Sequence, residues 1–225
     1  MARNKYPEQT LDLILTVSTQ MFTEKGYEKT SIQDIIDELG MSKGAIYHHF
    51  KSKEDILSAV MEKELGRAED MFMELIQNTH APNARQKLIS ILENVIVDPG
   101  IQSNSIDQIL STQIKNPQFV LGGIRKGILK DAQIIADIME QGKEDGSISV
   151  EYPLECAEIF MLLVNIWINP LLFGRDQEQT LERLKFLQHM MKLLGADIVS
   201  EQLIQRITNR HASTGGYAEA EQTYT

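Results

Sequence analysis

The chain has 225 residues, enough for one domain of ordinary size plus a small one. Its composition, 42% hydrophobic and 24% charged with a formal net charge of −10, is typical of a soluble globular protein. No apolar run reaches the roughly 18–20 residues of a membrane span, and a single cysteine excludes an intrachain disulfide and a multi-cysteine zinc site. No apolar segment follows the N-terminal cations, so we expect a cytoplasmic protein without a secretory signal or membrane contact.

Helical periodicity dominates the chain, and strand alternation is scarce. The apolar spacing predicts an all-α fold with helices over 8–25, 32–39, 43–49, 53–78, 84–97, 103–114, 117–143, 154–172 and 178–194, and a weaker one over 197–208. Few aliphatic side chains follow, which favours a disordered tail. The predicted divisions are an N-terminal three-helix domain over 1–52, a C-terminal helical domain over 53–208 and a tail over 209–225.

A tight, glycine-containing turn joins the predicted helices at 32–39 and 43–49. Ser42 can cap the second of them. Seven residues are too few for a stable isolated helix, so its apolar anchors Ile46 and Phe50 must be held by neighbouring helices. This arrangement is typical of the helix-turn-helix motif, which presents one short helix to the major groove of DNA.

Residues 41–53 contain three lysines and no carboxylate in an otherwise acidic chain. Small residues at the start of the short helix allow its backbone to approach a base edge closely, and polar side chains of the same helix can reach bases, sugars or phosphates. The candidate DNA contacts there are Ser42, Lys43, Gly44, Ala45, Tyr47 and His48. The amides at neighbouring helix starts also favour anions, which adds Thr30, Ser31 and Lys53 as candidate phosphate contacts.

Two other uses of the segment are disfavoured. A zinc site at His48 and His49 is improbable because adjacent helical residues point about 100° apart and no His-Glu-x-x-His pattern is present. A catalytic histidine would need a partnered nucleophile, and a Gly-x-Ser-x-Gly motif is absent. We therefore expect no catalytic residue, no metal and no cofactor.

The stretch ILTVSTQMFTEKGYEKTSIQDIIDELGMSKGAIYHHFKSKEDIL resembles the DNA-binding domain of the TetR, or tetracycline-repressor-like, family. The resemblance implies a one-component transcription regulator, usually a homodimeric repressor that a small ligand releases from its operator. It places the candidate residues named above at DNA or its phosphates, and makes the helices after about residue 55 a ligand-binding and dimerisation domain. Ile36 departs from the family, which usually has a small residue there.

The predicted helices over 154–172 and 178–194 are apolar and joined by a short polar link, which indicates an antiparallel hairpin. A broad apolar stripe on the second helix predicts pairing with a second copy in a four-helix bundle. The candidate interface residues of the stripe are Leu181, Leu184, Leu187 and Met191. Leu194 extends the stripe, and Phe186, Met190 and Leu193 widen it. Burial inside one subunit would explain the same breadth.

An effector pocket is predicted among methionines and aromatic residues, because methionine adapts to ligands of varied shape. The candidates are Met71, Phe72, Met139, Phe160, Met161 and Trp167. Methionine at helical spacing is core more often than pocket, and Trp167 could equally lie at an interface. The expected protein is a regulator, not an enzyme. Its expected partners are a double-stranded palindromic operator, its own second copy and a small apolar effector. The alternative is a small-molecule carrier or enzyme that uses the C-terminal helical pocket.

Overall fold

The computed structural model describes residues 7–97, 121, 125, 127–213 and 215–217, and this part of the chain is helical without any strand. The helices are α1 (Pro7–Glu24), α2 (Ile32–Leu39), α3 (Lys43–His49), α4 (Lys53–Asn78), α5 (Ala84–Val97), α6 (Ala132–Glu144), α7 (Pro153–Leu162), α8 (Pro170–Phe173), α9 (Gln177–Leu193) and α10 (Glu201–Ser213). A π-helical turn, Gly127–Asp131, precedes α6, and another, Leu163–Trp167, continues α7. The predicted all-α fold is confirmed.

The first five predicted helices agree with α1 to α5 to within one residue at each end. The helix predicted over 103–114 lies outside the described residues, as does most of the first part of the one predicted over 117–143. Its second part is present as the π-helical turn and α6.

The single helix predicted over 154–172 is wrong, because the chain breaks between α7 and α8. Pro170 lacks the amide hydrogen that a continuous helix requires, and a residue before proline avoids the helical backbone region. Asn169 accordingly has φ −57° and ψ 112°, and its side chain accepts a hydrogen bond from the amide of Leu171 at 3.0 Å. The break therefore starts a new, short helix at Pro170.

The last helix begins and ends later than the predicted 197–208. Ser200 caps α10, since its hydroxyl accepts a hydrogen bond from the amide of Leu203 at 2.9 Å. The helix continues to Ser213, and the hydroxyl of Tyr217 donates to the carbonyl of Thr208 at 3.0 Å. The tail predicted from residue 209 is therefore wrong for residues 209–213, which are helical.

The chain divides into two compact units, and the described residues of the first are 7–72. The second contains the described residues from 73 onward. Helix α4 begins in the first unit and ends in the second. The functional boundary between residues 52 and 53 stays a prediction.

In the first unit, α1 packs against α2, and α2 against α3. The side chains with the least exposure there are Ile14, Phe22, Ile35, Ile46, Ile56 and Val60. Each such burial stabilises the fold by about 1.5–3 kcal/mol. Ile36, the departure from the family pattern, is also buried in this core.

In the second unit, α6 packs against both α5 and α7, and α10 packs against α5 and α9. One close approach fixes the link between α6 and α7: a Cβ atom added at Gly142 would lie 2.7 Å from Cδ1 of Ile148. Arg85 joins α5 to the segment before α10, because its Nε donates to the carbonyl of Asp197 at 2.7 Å. Among the described residues, no helix is long and apolar enough to cross a membrane.

Candidate nucleic-acid interface

The turn between α2 and α3 depends on Gly40. This residue has φ 60° and ψ 23°, in the left-handed region that glycine adopts without steric cost. Its amide donates to the carbonyl of Asp37 at 3.2 Å, and the next amide, of Met41, donates to the carbonyl of Ile36 at 3.3 Å. These bonds satisfy the end of α2 and turn the chain sharply into α3.

Helix α3 has one buried face and one exposed face. Ile46 is fully buried and Phe50 nearly so, which confirms the two predicted anchors. Ser42 caps the helix, since its hydroxyl accepts a hydrogen bond from the amide of Ala45 at 3.3 Å. With both the cap and the anchors in place, this seven-residue helix is held by the first unit's core rather than by its own stability.

The exposed face of α3 carries most of the predicted DNA contacts. The exposed residues are Ser42, Lys43, Gly44, Tyr47 and His48, whereas Ala45 is half-buried. A Cβ atom added at Gly44 would meet no other atom within 4 Å, so the helix surface there is open. The structure thus brings these residues together on one accessible surface, which we call the α3 face.

Cationic and aromatic groups lie close together on the α3 face. The Nζ of Lys43 lies 5.6 Å from the centre of the Tyr47 ring, one helical turn away. The rings of His48 and His49 meet edge to face at 5.3 Å. No group of three or more histidine, cysteine or acidic residues that could hold a metal ion exists in the described part of the chain. The α3 face therefore offers hydrogen-bond donors and ring surfaces, which suit bases and phosphates.

Thr30 does not match its predicted role as a phosphate contact. Its side chain is 1% exposed, and its hydroxyl donates to the carbonyl of Gly26 at 2.9 Å. Its amide is also used, since it donates to the carbonyl of Tyr27 at 3.2 Å. Buried polar groups need such partners, so Thr30 shapes the link between α1 and α2 instead of meeting a ligand.

Ser31 is exposed at the start of α2, but its hydroxyl is paired with Asp34. It accepts a hydrogen bond from the Asp34 amide at 3.1 Å, and the Ser31 amide donates back to the Asp34 carboxylate at 2.7 Å. This is the predicted capping box. Hydrogen bonds from the side chain and backbone of Ser31 lower the pKa of Asp34. A phosphate near Ser31 would therefore meet a carboxylate that is ionised at neutral pH.

Lys53 is half-buried and already has partners within the protein. Its Nζ donates to the carbonyl of Tyr27 at 2.9 Å and lies 4.2 Å from the centre of that ring. Two exposed lysines flank the α3 face in sequence, Lys29 before α2 and Lys51 before α4. Neither belongs to the predicted contacts. Their positions in turns could have identified them from the sequence, because side chains in turns usually face solvent.

The predicted pocket residues do not share one environment. Met139 and Phe160 are buried in the core of the second unit, where Met161 and Trp167 are half-buried. The remaining two candidates, Met71 and Phe72, are half-buried and belong to the first unit. Their role at an effector stays a prediction.

A separate cleft of about 590 Å³ lies in the second unit, between the start of α7 and the end of α9. It is lined by Ser149, Val150, Glu151, Tyr152, Glu155, Cys156, Ile159, Leu193, Leu194 and Gly195. None of these is a predicted pocket residue. Burial raises the pKa of the Cys156 thiol to about 11, so the thiol stays protonated at neutral pH.

The predicted dimer contact on α9 is wrong for three of its four candidate residues. Leu184, Leu187 and Met191 are fully buried within their own chain, while Leu181 is half-buried. Helix α9 packs against α7 and α10, and these neighbours cover the stripe. A side chain without exposed surface cannot contact a second copy.

The flank of α9 that was predicted to widen the stripe is exposed. Phe186 is 54% exposed and Leu193 is 74% exposed, although both are large and apolar. Phe186 also meets the ring of Trp167 edge to face at 5.8 Å. Isolated exposed leucines are common on proteins, but several together mark an interaction surface.

Comparison with known families decides the identity of the first unit and of much of the second. A sequence model described as "Bacterial regulatory proteins, tetR family" matches residues 14–60. A second, described as "Tetracyclin repressor-like, C-terminal domain", matches residues 115–189. Together they cover more than half of the chain.

The chain belongs to the TetR family of bacterial transcriptional regulators. The predicted resemblance of the N-terminal region to the TetR-family DNA-binding domain is thereby confirmed. TetR-family proteins are DNA-binding regulators that respond to ligands, and they are not enzymes.

Individual TetR-family relatives are similar at low identity. The HTH-type transcriptional regulator UidR of Escherichia coli is 23% identical over 189 residues, which is 84% of this chain and 92% of that protein. The HTH-type transcriptional repressor KstR2 of Mycolicibacterium smegmatis is 25% identical over 142 residues, which is 63% of this chain and 68% of that protein.

Solved structures confirm the TetR-family fold. A regulator from Pectobacterium atrosepticum superposes with a TM-score of 0.60 at 19% identity, covering 89% of this chain and 99% of its own. GusR of Salmonella enterica gives 0.57 at 20% identity, covering 86% of this chain and 99% of its own. Because these identities are low, the likeness shows the fold alone.

Proposed function

We propose that the protein is a homodimeric repressor that binds a palindromic operator in the cytoplasm and leaves it when a small, apolar effector binds. The single observation that supports this best is the α3 face. It combines exposed donors, an open position at Gly44 and a buried anchor at Ile46 on one short, capped helix. Such a helix can enter the major groove without rearrangement of its own unit.

The proposed operator follows from two-fold symmetry. If two copies pair, each presents one α3 face, so the operator should be an inverted repeat. Its half-sites should lie about one helical turn apart, roughly 34–36 Å, or a near multiple of that distance.

The exposed apolar flank of α9 supports a second copy as the partner in the second unit. Phe186 and Leu193 lie seven residues apart and therefore on nearly the same side of α9. Met190, between them, is half-buried. A two-fold pairing of this flank with itself would bury apolar surface on both copies at once, which stabilises a dimer.

Release by an effector requires that the effector bind the DNA-incompetent form more tightly than the DNA-bound form. The apolar character of the proposed effector rests on the methionines and aromatic residues of the second unit. Trp167 is the only tryptophan of the chain and lies in this unit. Its fluorescence is therefore a direct reporter of ligand binding.

A gel-shift assay with the DNA that flanks the protein's own gene tests the proposal. The expected result is a complex that resists unrelated competitor DNA and dissociates when one of a panel of apolar small molecules is added. That molecule should also change the fluorescence of Trp167. If the protein binds compounds but no DNA with sequence preference, it is a carrier and not a repressor.

A further inference from the structure

Lys53 and Glu54 contact the same residue, Tyr27, at its backbone carbonyl and at its side-chain hydroxyl. Lys53 donates from Nζ to the Tyr27 carbonyl at 2.9 Å and lies 4.2 Å from the ring centre. At the other end of the residue, the Tyr27 hydroxyl donates to Oε1 of Glu54 at 3.2 Å. The ring itself is buried and meets Phe22 edge to face at 5.2 Å. The first turn of α4 is thus fastened to the link between α1 and α2.

The setting of Tyr27 makes this fastening strong. Burial and the nearby carboxylate of Glu54 raise the pKa of Tyr27 to about 12, so its hydroxyl remains a donor throughout the physiological range. The Tyr27 carbonyl accepts a second hydrogen bond from the amide of Thr30 at 3.2 Å. A cation that is hydrogen-bonded and also lies over an aromatic face is held by two attractive terms.

The fastening joins the start of α4 to the link that leads into α2, and α2 and α4 flank α3 in sequence. Helix α2 begins at Ile32, a few residues after Tyr27, and α4 begins at Lys53. Helix α3 has only seven residues and is joined to both by short turns. Because the first turn of α4 is tied to the link that leads into α2, the direction in which α3 points depends on that tie.

We propose that Lys53 is a positioning residue that sets the orientation of α3, and that Lys51 supplies the phosphate contact expected in this part of the chain. Lys51 is exposed in the turn before α4. Its amide and that of Ser52 donate to the Asp55 carboxylate at 2.9 Å and 3.2 Å, which fixes this turn. The inference rests on the proposed DNA-binding function. It moves the phosphate contact from Lys53 to Lys51.

The two roles have different consequences for DNA binding. A phosphate contact adds to the affinity for every sequence, and its loss flattens the dependence of log K on log salt by about 0.9 for each contact. A positioning residue contributes to affinity only for the operator, where α3 must be oriented to match the base edges. Its loss should therefore lower the affinity for the operator more than that for random DNA.

The test compares Lys53→Met and Lys51→Met in the full-length protein. The probes are a DNA duplex enriched from a random library by the unaltered protein and a scrambled duplex of equal length. We expect Lys53→Met to reduce the ratio of the two affinities about tenfold, as for the loss of one hydrogen bond to a charged group, with an unchanged salt slope. Lys51→Met should leave the ratio unchanged and flatten the slope.

Two further variants keep the test decisive if Lys53→Met folds poorly. Lys53→Arg should retain part of the ratio, because a guanidinium can donate to the carbonyl and stack on the ring. Tyr27→Phe keeps the ring and the carbonyl but loses the bond to Glu54, so it should reduce the ratio by less. Partial unfolding lowers both affinities equally and does not change their ratio.

Either of two results for Lys53→Met would overturn the inference. In the first, the variant lowers both affinities equally and flattens the salt slope; in the second, it changes neither the affinities nor the slope. If Lys53→Met folds poorly, the same two results are read from Lys53→Arg and Tyr27→Phe. If the unaltered protein enriches no sequence, the proposed function itself fails. Failure of the inference and failure of the proposed function are distinguishable, because the variants are compared only if the unaltered protein selects a DNA sequence.

Discussion

The ammonium of Lys43 lies 5.6 Å from the centre of the Tyr47 ring, one turn further along the exposed face of α3. This contact keeps the side chains of Lys43 and Tyr47 close together on the exposed face. A cation over a ring gains modest energy at an exposed site, so DNA can draw Lys43 away at little cost. The pair is therefore suited to exchange its internal contact for contacts with bases and phosphates.

Lys43→Ala should change which sequences the protein prefers as well as how tightly it binds. Loss of a donor to a base edge costs about 1–3 kcal/mol of discrimination at that base pair. Enrichment of random DNA by the variant and the unaltered protein measures the preference at each position. Lys143→Ala is the control, since Lys143 is exposed on α6 and pairs with nearby Glu140. An unchanged preference in Lys43→Ala would contradict the assignment of α3.

Gly44→Ala should separate folding from DNA binding. The added Cβ meets nothing within 4 Å in the free protein, and alanine is favoured over glycine inside a helix by about 0.5–1 kcal/mol. The melting temperature should therefore hold or rise. Operator affinity should fall, because the same atom occupies the space where a base edge approaches. Equal operator affinity in the two proteins would show that DNA does not come close to Gly44.

Phe186→Glu and Leu187→Ala should act in opposite ways although the residues are adjacent. Phe186 is 54% exposed and Leu187 is fully buried in its own chain. The glutamate should place a charge in the proposed dimer contact and give a monomer in sedimentation experiments. The truncation of Leu187 should cost about 2–5 kcal/mol of folding stability and leave the dimer intact. A monomeric Leu187→Ala that unfolds normally would restore the buried stripe as the interface.

The carboxylate of Asp34 should stabilise the first unit at neutral pH but not in acid. Hydrogen bonds from Ser31 lower its folded pKa below the unfolded value, so its contribution is present above the unfolded pKa and is lost as the pH falls through the folded pKa. Urea unfolding of Asp34→Asn and the unaltered protein should differ at pH 7, and the difference should shrink as the pH falls through the folded pKa of Asp34. A difference that does not shrink at any acidic pH at which the unaltered protein still folds would contradict the capping role.

Gly142→Ala should destabilise the second unit, because its Cβ would lie 2.7 Å from Ile148. Overpacking of this kind costs about 1–3 kcal/mol. Gly66→Ala is the matched control, since a Cβ at that exposed position of α4 meets nothing within 4 Å. Thermal unfolding should show a lower midpoint for the first variant and not for the second. Equal midpoints would mean that the link between α6 and α7 can shift freely.

The first five helices could be predicted from the sequence because their boundaries are local. The serine cap at Ser31, the left-handed Gly40 and the apolar anchors of α3 are all visible as residue types at fixed spacing. The buried face of α3 follows from the same pattern, and its opposite face follows by exclusion. The α3 face was therefore accessible to reasoning from the sequence.

The failures concern contacts between residues far apart in sequence. Nothing local indicates that Lys53 reaches the carbonyl of Tyr27, 26 residues earlier. The burial of Leu184 and Leu187 depends on α7 and α10 packing over one side of α9. A broad apolar stripe has the same appearance whether it is covered by its own chain or by a second copy.

The most direct test of the central claim is enrichment of random DNA by the full-length protein. The account predicts an inverted repeat with half-site centres about one helical turn apart, and a preference within each half-site that changes in Lys43→Ala. Failure to enrich any sequence, or an enriched sequence whose preference is the same in Lys43→Ala, would contradict DNA recognition by the α3 face.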